Sequence, residues 1–189
     1  TYKGKKAGTL SDIGVYSLNF HKHIHTGEGS MVVTNDENLA KRLQLIRNHA
    51  EAAVADMGVK DITNMIGQNY RMTEVNAVIG RSQLKKLDGF IKEYQLNSKY
   101  IADRCQDMPG FRPAKIRPGN VSVHYMQAFL YDSKVVGVKR EKFVEALCAE
   151  LPGTKGQEEE GTLISGGYVR PIYMLPVFQQ QIAMGSKGF

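Results

Sequence analysis

The 189 residues are 42% apolar, enough for a real core spanning one domain or a domain and a half. The net charge is +6 and the pI about 9.2, yet beyond Lys3, Lys5 and Lys6 the basic residues are dispersed among acids. No aromatic-interleaved basic stripe forms, so no nucleic-acid partner is expected. Cys105 and Cys148 stand alone, without a CxxC pair or zinc spacing. With no signal-peptide pattern and no apolar run near the length of a membrane span, the expectation is a reduced, cytoplasmic protein with no membrane partner.

In chain order, Thr1–Leu10 is basic and Gly-rich, predicting a turn or hairpin. A short apolar run with Ile13, Val15, Tyr16 and Leu18 predicts a strand, and Ser30–Thr34 a second. Both read as buried. Thr34 and Glu37 stand at capping-box spacing before a helix whose face carries Leu39, Leu43 and Ile46. Residues 51–70 predict a loop with at most a short helix. Thr73 is the expected N-cap of a long helix to about Asp107, with a break near Gly89. Its apolar positions, Val75 to Ile91, read as core packing.

Pro109, Gly110 and Pro113 mark a boundary, giving domains 1–108 and 109–189. Beyond it, His124–Tyr131 predicts a strand with alternating aromatics, Lys139–Leu151 a helix, and Pro152–Gly167 a loop. There is no internal repeat and no low-complexity tract.

The chemistry gathers between the first two strands, in His21, Lys22, His23, His25, Thr26, Gly27, Glu28 and Gly29. A polar, Gly-punctuated connector at a sheet edge is a common place for function. A lysine held there by buried strands loses solvation and becomes a nucleophilic amine able to form a Schiff base. Taken alone, Lys22 reads better as a surface loop lysine, since lysine is common and a lone Ser-x-x-x-x-Lys pattern has little specificity. The alternating histidines have no carboxylate or thiolate companions at matching spacing, so no metal is expected. The glycines do not open a helix and lack the Lys-Ser/Thr of a phosphate-binding loop, which excludes nucleotide hydrolysis.

The wider stretch is more specific. It contains Asp12-Ile13-Gly14, Ser17 to Lys22, Gly27-Glu28-Gly29-Ser30 and Val32-Val33-Thr34-Asn35-Asp36. Arg47-Asn48-His49 and Gly67-Gln68-Asn69-Tyr70-Arg71-Met72 follow in order. The chain here resembles the DegT/DnrJ/EryC1/StrS sugar aminotransferases, fold-type I enzymes dependent on pyridoxal 5'-phosphate. The resemblance is strong over most of 1–108 and weaker beyond.

The resemblance implies an α/β fold, part of an aspartate aminotransferase-like transferase. Residues 1–108 would be the second half of the large cofactor-binding domain with its linking helix, and 109–189 part of a smaller C-terminal α/β domain. Lys22 would form the internal aldimine and carry the proton transfers, and Ser17 would bind the cofactor phosphate. Asn69 would reach the phosphate of a neighbouring subunit's cofactor, across a homodimer interface. His21, His25 and Tyr70 are substrate-side candidates, though both histidines also read as solvated loop residues. Gly167–Tyr173 resembles the short strand leading to a substrate-side loop. Because the family's upstream aspartate, helix start and ring-stacking aromatic are not in this sequence, it is expected to be an internal piece of a chain about twice as long, inactive alone.

The implied reaction passes an amino group from an amino acid, glutamate or glutamine, to a keto-sugar, nucleotide-linked as is usual in the family. The setting would be cell-surface polysaccharide or amino-sugar biosynthesis. Two departures blur the substrate: Asn19 stands where many members have His, and Ser30 where Gly is usual. The competing readings are a related sugar dehydratase, where some relatives have His at the lysine position, and a non-catalytic homologue. The retained Lys22 argues against the first, and capture of the cofactor by Lys22 discriminates the second.

Overall fold

A computed structural model describes residues 1–50, 65–151, 164–167 and 170–182. The expected loops at 51–64 and 152–163 lie outside the described residues. The chain divides into two compact units, Thr1–Gln106 with Pro113–Phe129, and Asp107–Arg112 with Leu130–Phe189. The chain thus leaves the first unit after Gln106 and rejoins it at Pro113.

The first unit opens on a tight turn. Tyr2 and Lys5 exchange backbone hydrogen bonds of 2.9 and 3.0 Å, and Lys3 and Gly4 both have positive φ, the backbone a two-residue hairpin demands. Strand β1 (Gly14–Ser17) pairs antiparallel with β2 (Ser30–Val33), in register from Gly14 opposite Val33 to Ser17 opposite Ser30. The two strands are not the buried pair the sequence suggests. Gly14 is buried, but Val15, Tyr16, Met31 and Val32 are exposed. Apolar β-branched runs fix strand conformation, whereas burial depends on a covering layer, and among the described residues the cover on β1 is the short Ala7–Thr9 turn over Gly14.

Helix α1 (Glu37–Arg47) starts two residues later than the Thr34 spacing implies. Asp36 is its cap, its carboxylate accepting from the backbone of Asn38 at 2.7 Å and Leu39 at 3.0 Å. Thr34 instead accepts from the Asp36 N–H, holding the approach to the helix. Leu45, only 1% exposed, is the largest fully buried side chain. The helix ends where His49 and Ala50 turn into left-handed backbone, the Ala50 N–H closing on the Leu45 carbonyl at 2.8 Å.

Helices α2 (Glu74–Leu84) and α3 (Leu87–Cys105) replace the single long helix. Thr73 caps α2 as expected, through the Asn76 N–H. The break falls at Lys85–Lys86 rather than Gly89. The Lys86 N–H bonds three residues back to Gln83, and the Lys86 carbonyl starts a fresh helical frame at Phe90. Gly89 lies inside α3, where a glycine weakens a helix without breaking it.

Within the first unit, residues 113–127 run beside α3. The expected strand from His124 shrinks to β4 (Phe129–Tyr131), paired with β3 (Phe111–Pro113). His124 cannot be a strand residue, because its φ is +49°. Its Nδ1 lies 2.7 Å from the hydroxyl of buried Ser98, which also donates to Gln127. With Gln95 they line a cavity of about 220 Å³.

In the second unit, α4 (Ser133–Val136) ends on left-handed Gly137, and α5 (Arg140–Glu150) matches its expected span to within a residue at each end. The Phe143 ring lies 5.4 Å from Phe111 and 4.9 Å from Tyr131. Part of the expected Gly167–Tyr173 strand is a 3-10 turn (Ile172–Met174), which precedes the short helix α6 (Pro176–Gln179); Tyr168 and Val169 lie outside the described residues.

Candidate active site

The connector between β1 and β2 is a folded loop held by its own polar groups. At its base, Leu18 donates to the Gly29 carbonyl at 2.8 Å and Thr26 donates back to the Leu18 carbonyl at 3.0 Å. Asn19 organises the span inside. Its N–H reaches the Ser17 hydroxyl at 3.4 Å, its Oδ1 accepts from His21 N–H at 3.2 Å, and its carbonyl accepts from Lys22 N–H at 2.9 Å. Its Nδ2 crosses the loop to Glu28 at 2.8 Å. Asn19 was notable in the sequence only as a departure, yet four hydrogen bonds make it the hub of the lysine loop.

Thr26, 4% exposed, sends its hydroxyl to the Glu28 carbonyl at 2.8 Å. Helix α2 lies against this turn: Asn76 donates to the same carbonyl, and a Cβ at Gly80 would come within 3.1 Å of the Thr26 methyl. Gly29 sits at φ +138°, which a side chain resists.

Lys22 is half-buried, and its amine lies 4.3 Å from the centre of the Tyr125 ring. No carboxylate among the described residues pairs with it. His23 is pinned beside it, with Nε2 2.9 Å from the Val123 carbonyl and its ring 4.8 Å from Tyr94 and 6.0 Å from Tyr125. Nothing in the sequence singles out Tyr125 for this site, since it is remote along the chain and lies in a stretch that reads as plain strand.

The other histidines differ. His25 accepts from the Gly27 N–H at 3.3 Å and so holds the turn, while His21 is exposed and stacks on its neighbour Phe20 at 3.7 Å. Among the described residues no group of three His, Cys, Asp or Glu side chains is arranged to hold a metal.

Asn69 is fixed at the end of α1. It forms an antiparallel bridge with Asn48, between Gln68 N–H on the Ile46 carbonyl at 2.7 Å and Tyr70 N–H on the Arg47 carbonyl at 2.9 Å. Gly67 is required there, since a Cβ would overlap the backbone of His49 and Ala50. Arg71 donates to Asn48 Oδ1 at 2.6 Å, which makes it structural. Tyr70 is exposed. No hydrogen bond among the described residues joins Asn69 to Ser17 or Lys22.

This donor set suits pyridoxal phosphate. The Ser17 hydroxyl accepts from Asn19 but donates to no acceptor among the described residues, leaving its proton for a phosphate oxygen. The Lys22 amine, held by a ring face and not by a carboxylate, is open to a carbonyl.

A model of the DegT/DnrJ/EryC1/StrS aminotransferase family matches residues 1–187. The chain belongs to this family. It is 41% identical over 88 residues to the GDP-perosamine synthase of Caulobacter vibrioides, an alignment covering 47% of this chain and 23% of that protein. Among solved structures it resembles Helicobacter pylori PseC, an aminotransferase involved in pseudoaminic acid biosynthesis. The TM-score is 0.72 and the identity 26%, covering 98% of this chain and 46% of the other. It also resembles an E. coli GDP-4-keto-6-deoxy-D-mannose-3-dehydratase with bound hydrated PLP, at TM-score 0.67 and 29% identity, covering 79% and 41%. The chain spans less than half the length of the relatives it matches. Family and α/β fold therefore agree with the motif reading of Asp12 to Met72.

Proposed function

We propose that this family member acts as a pyridoxal phosphate-dependent aminotransferase, moving an amino group from glutamate or glutamine to a nucleotide-linked keto-sugar in polysaccharide or amino-sugar biosynthesis. The observation that carries this reading is Lys22: a half-buried amine with no carboxylate partner among the described residues, on a loop clamped at both strand ends, within a family match over nearly the whole chain.

The bound cofactor supplies the electron sink that makes the substrate C–H acidic. Lys22 Nζ takes up the proton released there and returns it to the adjacent carbon. The Ser17 hydroxyl donates to the cofactor phosphate. Asn69, at the start of the segment entering α2, reaches the phosphate of a partner subunit's cofactor in a homodimer. His21, His25 and Tyr70 face the sugar. Residues 1–108 and 109–189 serve as cofactor-side and smaller domains. The work is placed in the cytoplasm; no helix among the described residues is long and apolar enough to cross a membrane.

The test is chemical capture. The protein is incubated with pyridoxal phosphate, reduced with borohydride and digested, and the label is located by mass spectrometry. A pyridoxyl group on Lys22, lost in Lys22→Ala, is the expected result. An unlabelled Lys22 overturns the assignment.

A further inference from the structure

We propose that the face of Tyr125 is the seat of the Lys22 ammonium, and that His23 is the positioning residue that holds this ring in place. Two consecutive loop residues grip one short segment. Lys22 Nζ lies 4.3 Å from the Tyr125 ring centre, within cation–π range, and His23 Nε2 bonds to the carbonyl of Val123, two residues before it. The His23 ring, wedged edge-on against Tyr94, also borders Tyr125. The segment is anchored further back, where Thr1 and Val121 exchange backbone hydrogen bonds of 2.6 and 3.2 Å.

A ring face differs from a carboxylate as a partner for an amine that must move. It attracts the charged form without a directional hydrogen bond, so the amine departs without leaving a buried ion unpaired. In the part of the cycle when Nζ is released and carries a proton, Tyr125 gives the ammonium a defined place to wait. Only this catalytic consequence rests on Lys22 being the cofactor lysine. The ring contact itself is a property of the protein alone.

The test uses protein prepared without cofactor. The acylation rate of Lys22 by acetic anhydride is measured by peptide mapping against exposed Lys92 as internal standard. Tyr125 is replaced by Phe, and then by Phe carrying one and three ring fluorines, which keeps the shape and weakens the negative face. The rate with Phe should stay near that with Tyr. Trifluorination should raise Lys22 acylation about 3- to 10-fold, because a weaker ring releases the ammonium. His23→Leu should shift the rate in the same direction. A rate flat across the fluorine series overturns the proposal, even where His23→Leu alters it through packing. Borohydride capture reads the cofactor assignment separately, so failure of either idea is visible on its own.

Discussion

The Asn19 carboxamide and the Glu28 carboxylate tie the lysine loop across its width, Nδ2 to Oε1 at 2.8 Å. A neutral amide is required because it must donate to Glu28 while accepting from His21 N–H. Asn19→Asp places two like charges together and should cost about 1–2 kcal/mol in urea unfolding. Adding Glu28→Gln restores a donor facing the new carboxylate and should recover most of that loss. A double mutant no better than Asn19→Asp would mean the contact contributes nothing.

Two identical substitutions should have opposite signs. In Gly14→Ala the new methyl would overlap the Gly8 carbonyl, where the Ala7–Thr9 turn lies on β1. A loss of about 1–3 kcal/mol is expected. In Gly89→Ala the methyl meets nothing within 4 Å and sits inside α3, so a gain of about 0.5–1 kcal/mol is expected. Thermal midpoints of the two variants, measured in parallel, check both signs.

The cap of α1 is separable from its approach. Asp36→Ala removes the single oxygen, Oδ1, that accepts from both the Asn38 and Leu39 N–H groups and should destabilise by about 1 kcal/mol. Thr34→Ala, which loses one bond to Asp36 N–H, should cost less. The reverse order in denaturant midpoints would restore Thr34 as the principal cap.

The proposal that Asn69 serves a partner subunit's site makes a prediction about mixtures. In the full-length protein, Lys22→Ala and Asn69→Ala should each be inactive when pure. Unfolded together and refolded, they form mixed dimers with one site carrying both native residues, and roughly a quarter of wild-type activity should return. A mixture as silent as its components would place Asn69 and Lys22 in the same subunit's site.

What was legible in the sequence was local. Strand conformation at Val15 and Val32, the Thr73 cap and the Ser17-to-Lys22 stretch all depend on neighbours in the chain. What was misread depended on choices between similar local signals or on distant partners. Thr34 and Asp36 both cap well, and the geometry of the turn selected Asp36. Gly89 is the obvious breaker by composition, yet the change of hydrogen-bond frame fell on two lysines with ordinary helix propensity. His124 opens a run with strand-like alternation, but its bond to Ser98 takes it into left-handed backbone. Tyr125 and His23 meet across about a hundred residues, a separation no periodicity can encode.

The close approach of Gly80 to Thr26 has a consequence for how related sequences can vary. A side chain on α2 at position 80 would press on the threonine methyl at 3.1 Å, and that threonine's hydroxyl holds the Glu28 carbonyl. A change at position 80 thus asks the Thr26 methyl to give by a few tenths of an ångström, which couples the two positions. Among homologues that keep this turn, an alanine or serine at 80 should travel with a serine at 26, which keeps the hydroxyl and yields the methyl's space. The two columns should drift as a pair, even though neither residue touches the chemistry.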